Sequence, residues 1–227
     1  MIRVAISVEG PTERDFCKDV LTPYFLDYDI YLEPVTITTS KDRCGRKNSG
    51  GCVNIDRVKN EIQKLLPSYD YVTTLYDLYG FQGVESDITV DELEKILYDM
   101  FNTDKFIPYI QKYEFETLLF SNPEYYKEIF DNQNISEDIS KIVDEFQNIE
   151  LINNSKQTAP SKRLIAIFDK YGEKYDKVFY GAAITQDIGI DTIREKAIRF
   201  DRWIKEIIDI KTIKEILLVC QKDIVKC

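Results

Sequence analysis

Two hydrophobic periods alternate through the first half of this chain, and that alternation restricts the fold more than anything else in it. Residues 2–8 are rich in β-branched side chains and run into Glu9-Gly10-Pro11. Residues 12–24 then place Phe16, Val20 and Leu21 at helical spacing. The same succession recurs three times. Strand-like segments at 31–39, 71–79 and 106–111 alternate with helical patterns at 54–66, 89–101 and from about Glu114. A β-α-β-α-β-α-β order requires right-handed crossovers between parallel strands, with helices covering the sheet. The expectation is an α/β fold built on a parallel four-stranded sheet.

After residue 122 the strand pattern stops. Helices are expected at 136–146, 161–171 and 191–208, a helix or strand at 211–219, and an extended loop at 153–160. No repeat or low-complexity tract separates the halves. Residues 1–122 read as the α/β core and 123–227 as a mostly helical C-terminal extension packed on it.

The chain contains no histidine among its 227 residues. Acid–base chemistry must come from carboxylates, tyrosine, lysine or a metal-bound water. Acidic residues outnumber basic ones by 40 to 30, a net charge of −10. That argues against a free-standing, nonspecific nucleic-acid binder, which needs a basic face. It leaves room for a nucleic-acid enzyme if a divalent cation cancels charge locally or a partner subunit brings basic surface. The plainer reading of the acidity is solubility. Five cysteines form an odd set, and Cys44 and Cys52 fit no zinc spacing, so reduced thiols in a cytoplasm are expected. No run of 18 apolar residues is present, so no membrane span is expected, and residues 1–9 read as a strand rather than a signal peptide.

Functional groups in parallel sheets gather beyond the carboxyl ends of the strands. Three acidic segments fall there: Glu9 with Glu13, Asp77, and Glu114 with Glu116. Grouped carboxylates are natural ligands of Mg²⁺ or Mn²⁺. Gly10 lets a ligand approach the backbone, and the following helix N-terminus favours a phosphate. Each acid also has an ordinary explanation: an acidic first helical turn for Glu9 and Glu13, a turn-forming Asp77, an acidic helix start for Glu114 and Glu116. If 114–116 is extended, both glutamates point the same way. If it is helical, one reaches the site, and Glu114 is nearer the strand end. Arg43, Arg46 and Lys47 form a basic loop that suits a nucleic-acid backbone, or simply solvent. Lys162 and Arg163 open a helix, where cations oppose the dipole, which hints at an anionic partner. Tyr113, Phe115 and Phe120 read as packing around the site rather than as a base-stacking platform.

The segment Val8-Glu9-Gly10-Pro11-Thr12-Glu13 resembles the opening glutamate motif of Toprim domains, found in topoisomerases, primases and overcoming-lysogenisation-defect nucleases. Thr73-Thr74-Leu75-Tyr76-Asp77-Leu78-Tyr79-Gly80, Phe106-Ile107-Pro108-Tyr109-Ile110-Gln111, Glu114-Phe115-Glu116-Thr117-Leu118-Leu119-Phe120 and Thr158-Ala159-Pro160-Ser161-Lys162-Arg163 extend the likeness. With them the chain resembles the bacterial domain-of-unknown-function family 4276. The resemblance implies a Toprim-like fold and a Mg²⁺-dependent site, with Glu9 as the first Toprim glutamate and Asp77 as the first aspartate of the usual Asp-x-Asp. Tyr79 stands where the second aspartate would be, which removes one ligand that Glu114 or Glu116 can replace. An ABC- or AAA-type ATPase partner and a setting like phage defence are implied in the same way.

The expected function is a metal-dependent nuclease. Glu9, Asp77 and Glu114 hold Mg²⁺ or Mn²⁺, Glu13 or Glu116 positions the water, and Lys162, Arg163 or Arg46 offsets phosphate charge. The alternatives are a non-catalytic Toprim-like interaction or sensor subunit of an ATPase complex, and a nucleotidyl or phosphoryl transferase. The oligomeric state is left open.

Overall fold

The computed structural model describes residues 1–41, 47–49, 53–153 and 155–224. The first strand, β1 (Ile2–Val8), is the buried centre of the sheet and stops at Glu9-Gly10. Pro11 then occupies the first position of α1 (Pro11–Phe16), where a missing N–H costs nothing. A π-helical turn, Cys17–Leu21, links α1 to α2 (Thr22–Leu26). Pro23 cannot donate to the preceding turn, and the ladder slips so that Thr22 N–H reaches Cys17 O.

The strand β2 (Ile30–Thr36) lies parallel to β1, with Ile2 opposite Ile30 and Val8 opposite Thr36. A small antiparallel pair, β3 (Thr38–Lys41) with β4 (Lys47–Ser49), stands off the main sheet. The short β5 (Val53–Asn54) leads into α3 (Ile55–Leu65), and the Asn54 side chain accepts Arg57 N–H as the expected cap. On the other side of β1 lies β6 (Tyr71–Asp77), also parallel, and β7 (Phe81–Gln82) then pairs with β5. The helix α4 (Val90–Phe101) opens on a Thr89–Glu92 capping box. It is followed by β8 (Phe106–Ile107) and β9 (Ile110–Gln111), both parallel to β6. The sheet order is β2-β1-β6-β8, with β9 also on β6, so the expected α/β class and parallel sheet are present.

The fourth strand is split, because Pro108 has no N–H to give the ladder. The β6 hydroxyls repair the gap: Thr73 Oγ1 donates to Ile107 O, and Thr74 Oγ1 both receives Tyr109 N–H and donates to Tyr109 O. Two other expectations shift. The third strand ends at Asp77 rather than 79, with a 3₁₀ turn over Leu78–Gly80. The segment after Glu114 is a 3₁₀ helix, Phe115–Phe120.

The second half contributes α5 (Tyr125–Phe130), α6 (Gln133–Phe146), α7 (Pro160–Lys170) and α8 (Lys177–Ile188). The single helix expected over 191–208 is two, α9 (Ile190–Lys196) and α10 (Ile198–Ile224), broken at an extended Ala197. The Glu150 carboxylate receives Arg199 N–H and Phe200 N–H, which the break leaves without helical partners. Residues 211–219 continue α10. Among the described residues no helix is long and apolar enough to cross a membrane.

Two cores flank the sheet. On one face α3 and α4 cover Ala5, Val72 and Tyr76. On the other, α1, α8 and α10 pack on Val4, Ile6 and Val8, with Phe16 edge-on to Phe115 at 5.1 Å. Gly181 sets the fit between α8 and α1. A Cβ built there would lie 2.6 Å from Thr12 Cγ2 and 3.2 Å from a Phe115 ring carbon. That close approach delivers the first residue of α8, Lys177, to the carboxyl end of the sheet.

Candidate active site

Beyond the carboxyl ends of β1, β6 and β9 the chain gathers four carboxylates. Glu9 follows β1 and Glu13 sits in the first turn of α1. Asp77 ends β6, in register with Gln111 of β9, and Glu116 is the second residue of the 3₁₀ helix. The Lys177 ammonium lies among them, 3.3 Å from Glu116 Oε2, 3.7 Å from Asp77 Oδ2 and 3.8 Å from Glu13 Oε1. Glu13, Asp77 and Glu116 are buried, whereas Lys177 keeps 42% of its side chain exposed and forms the outer wall of the cluster.

Each acid has a distinct support. The Glu13 Oε2 atom receives Gly10 N–H at 2.9 Å, which fixes the turn between β1 and α1. Glu116 Oε1 receives the Tyr175 hydroxyl at 3.4 Å. The Glu9 carboxylate lies against Gly80, where a built Cβ would come within 2.5 Å of Oε2. Among the described residues Asp77 Oδ1 makes no hydrogen bond, and Glu116 Oε2 makes none either, having Lys177 at ion-pair distance alone.

One lysine does not balance four carboxylates, and the acids show it. Burial pushes Glu9 up to about 7, Glu13 adds to the shift and Lys177 opposes it. Burial likewise raises Asp77 well above the usual carboxylate range and raises Glu116, in both cases against the pull of Lys177. Burial works against the Lys177 charge, but Asp77, Glu116 and Glu13 outweigh it and hold the ammonium above the ordinary lysine value. Burial therefore disfavours negative charge on these acids even with Lys177 in place.

The donor set suits a hard divalent ion: carboxylate oxygens only, two of them buried without a hydrogen bond. Among the described residues no three of these acids surround a common point closely enough to hold an ion as they stand, and Lys177 lies between three of them. Chemically the residues fit the metal, and the position an ion would take is contested by Lys177.

The structure brings Glu9, Glu13, Asp77 and Glu116 together. It places Glu114, the expected third ligand, elsewhere: Glu114 Oε2 accepts Ser161 N–H at 2.9 Å and so caps α7. The reason is local geometry. Glu114 is extended at the N-cap while Glu116 lies inside the 3₁₀ turn, so the two diverge. The Arg163 guanidinium donates to Thr158 O and lies over the Phe146 ring, and Lys162 is exposed. Neither ion-pairs with the cluster among the described residues. Arg43 and Arg46 lie outside the described residues, and Lys47 falls in β4. Phe115 and Phe120 are fully buried core residues, as expected, whereas Tyr113, expected to pack with them, is part-exposed.

Sequence reasoning missed Lys177. A signal existed: Asp176 caps α8 by accepting Val178 N–H and Phe179 N–H, and the next residue is a cation where the helix dipole disfavours one. Lys162 and Arg163 carry the same signal at the start of α7, but they stand away from the cluster.

A model of the family described as domain of unknown function (DUF4276) matches residues 8–208. The chain belongs to that family. The DUF4276 match begins at the end of β1 and reaches α10, so it includes every member of the cluster. Among solved structures, the C-terminal region of the Xanthomonas campestris pv. campestris OLD protein is similar in three forms. The platinum-phased form has 15% identity and a TM-score of 0.47, over 94% of this chain and 96% of that one. The mercury-phased form has 14% and 0.44, over 93% and 97%. The iodine-phased form has 15% and 0.42, over 93% and 97%. No curated protein matches the chain significantly.

Proposed function

We propose that this DUF4276 domain is a metal-dependent nuclease that hydrolyses phosphodiester bonds. The observation that carries the reading is the convergence of Glu9, Asp77 and Glu116 on one buried site, at the end of a parallel sheet, with too little positive charge to balance them. Glu9, Asp77 and Glu116 would hold Mg²⁺ or Mn²⁺. Such an ion, when bound, polarises a phosphoryl oxygen and lowers the pKa of a water. Glu13 anchors the β1–α1 turn through Gly10 N–H and keeps Lys177 inclined to the site. The Lys177 ammonium, charged and half-exposed, is the group available to a phosphate oxygen as negative charge develops. The motif resemblance to Toprim-like nucleases supports the same chemistry and suggests an ABC- or AAA-type ATPase partner in anti-phage defence.

The second reading is a non-catalytic interaction module. It draws on Lys177 itself, which partly neutralises the acids without any metal. Titration with Mn²⁺ by calorimetry, alongside cleavage of plasmid and RNA substrates, separates the two. Asp77→Asn and Glu116→Gln should each weaken Mn²⁺ binding and cut cleavage by more than the roughly 10–100-fold that outer-shell partners cost. Lys177→Met should tighten Mn²⁺ binding, by removing a competitor for the same oxygens, while lowering cleavage. A protein that binds no Mn²⁺ at millimolar concentration with its carboxylates intact is not this enzyme.

A further inference from the structure

One residue beside the cluster has a backbone its side chain disfavours. Tyr113 is left-handed at φ +66, a conformation that glycine or asparagine takes far more easily than an aromatic residue. Its carbonyl accepts Tyr79 N–H at 3.1 Å, and this holds the two rings together with centroids 5.4 Å apart and planes inclined by 49°. The Lys112 ammonium stands 5.4 Å from the Tyr113 ring centre, and Asn153 Nδ2 donates to the Tyr79 hydroxyl. All four residues are part-exposed, while Phe115 and Phe120 close by are fully buried. The pair adjoins the acids on both strands. Tyr79 lies two residues past Asp77, Gly80 touches Glu9, and Lys112 follows Gln111, the register partner of Asp77.

We propose that Tyr79 and Tyr113, with Lys112, form a shelf that stacks an unpaired nucleobase, so that the substrate strand is single-stranded where it enters the carboxylate site. The second clause rests on the nuclease reading above, and the stacking itself does not. An aromatic face serves any base, and a lysine beside it meets the adjoining phosphate. A chain of net charge −10 draws little affinity from nonspecific phosphate contacts, so ring contact adds what the charge does not supply. The left-handed backbone at Tyr113 accompanies a ring that is part-exposed rather than packed in the core.

The test uses the full chain with Ca²⁺ in place of Mg²⁺ and a fluorescein-labelled twelve-nucleotide strand, DNA or RNA, read by anisotropy. The wild type should bind the single strand more tightly than the matching duplex, with a shallow salt dependence. Tyr113→Gly should weaken binding by about tenfold, on the worth of one stacked base, without lowering thermal stability, because glycine accepts the left-handed backbone. Tyr113→Phe should restore it. Equal binding by wild type and Tyr113→Gly overturns the shelf, as does a preference for duplex or no binding at all. Mn²⁺ titration of the same samples shows whether the metal reading fell with it.

Discussion

The Glu9 carboxyl shows how strongly burial disfavours negative charge at the site. Its pKa stands at about 7 against an ordinary value of 4.5, chiefly because burial removes its water. A carboxyl raised on folding binds its proton more tightly in the native state than in the unfolded one. Its contribution to stability is full below pH 4.5 and is lost as pH rises toward 7. At 1.36 kcal/mol for each pH unit between the two values, the loss is about 3 kcal/mol by pH 8. For a chain of this length that is roughly 6–12 °C in Tm. The perturbation is Glu9→Gln, which has no proton to exchange. Thermal unfolding of both proteins in EDTA from pH 4.5 to 8 should show the variant gaining on the wild type across the range. Addition of Mn²⁺ at pH 8 should return stability to the wild type and little to the variant. A wild-type-minus-variant difference that stays flat with pH would mean that Glu9 is well solvated, and would remove it from the proposed metal ligands.

Gly80→Ala should push the Glu9 carboxylate aside, since the new Cβ would fall 2.5 Å from Oε2. Mn²⁺ affinity should drop about tenfold or more while Tm changes little, because the group that must move is the end of a flexible side chain. Gly181→Val should cost about 1–3 kcal/mol by overpacking α8 against Thr12 and Phe115, and it should lower cleavage with it by displacing Lys177. Glu114→Gln should cost no more than about 1 kcal/mol, through the weakened cap on Ser161 N–H, and leave Mn²⁺ affinity unchanged. A large loss of metal binding in Glu114→Gln would return that residue to the site.

Some of the site could be read along the chain and some could not. The strand ends were readable because β1 and β6 are short apolar runs that stop at an acid, which locates Glu9 and Asp77 at the carboxyl end of the sheet although β6 stops two residues before the expected 79. The choice between Glu114 and Glu116 was not, because it depends on the phase of a 3₁₀ turn, set by the burial of Phe115, Leu118 and Leu119. Lys177 was hidden for another reason. Its helix carries apolar residues around most of its circumference, with Ile184 buried and Phe179 exposed, so no clear stripe marks it. Its neighbour Asp77 lies 100 residues away in the chain, and the contact depends on Gly181 fitting against α1. The break at Ala197 was likewise invisible, since it is stabilised from a distance by Glu150.

The split fourth strand has a consequence for how the molecule meets others. An open sheet border is an invitation to any passing extended peptide, including another copy of the same protein. Here Pro108 withholds a donor, Glu94 takes the Ile110 N–H, and Trp203 reaches across from α10 to Thr73. A visiting segment would find no continuous row of groups to join along that rim. The same kink that spoils the ladder guards the protein against sticking to itself there.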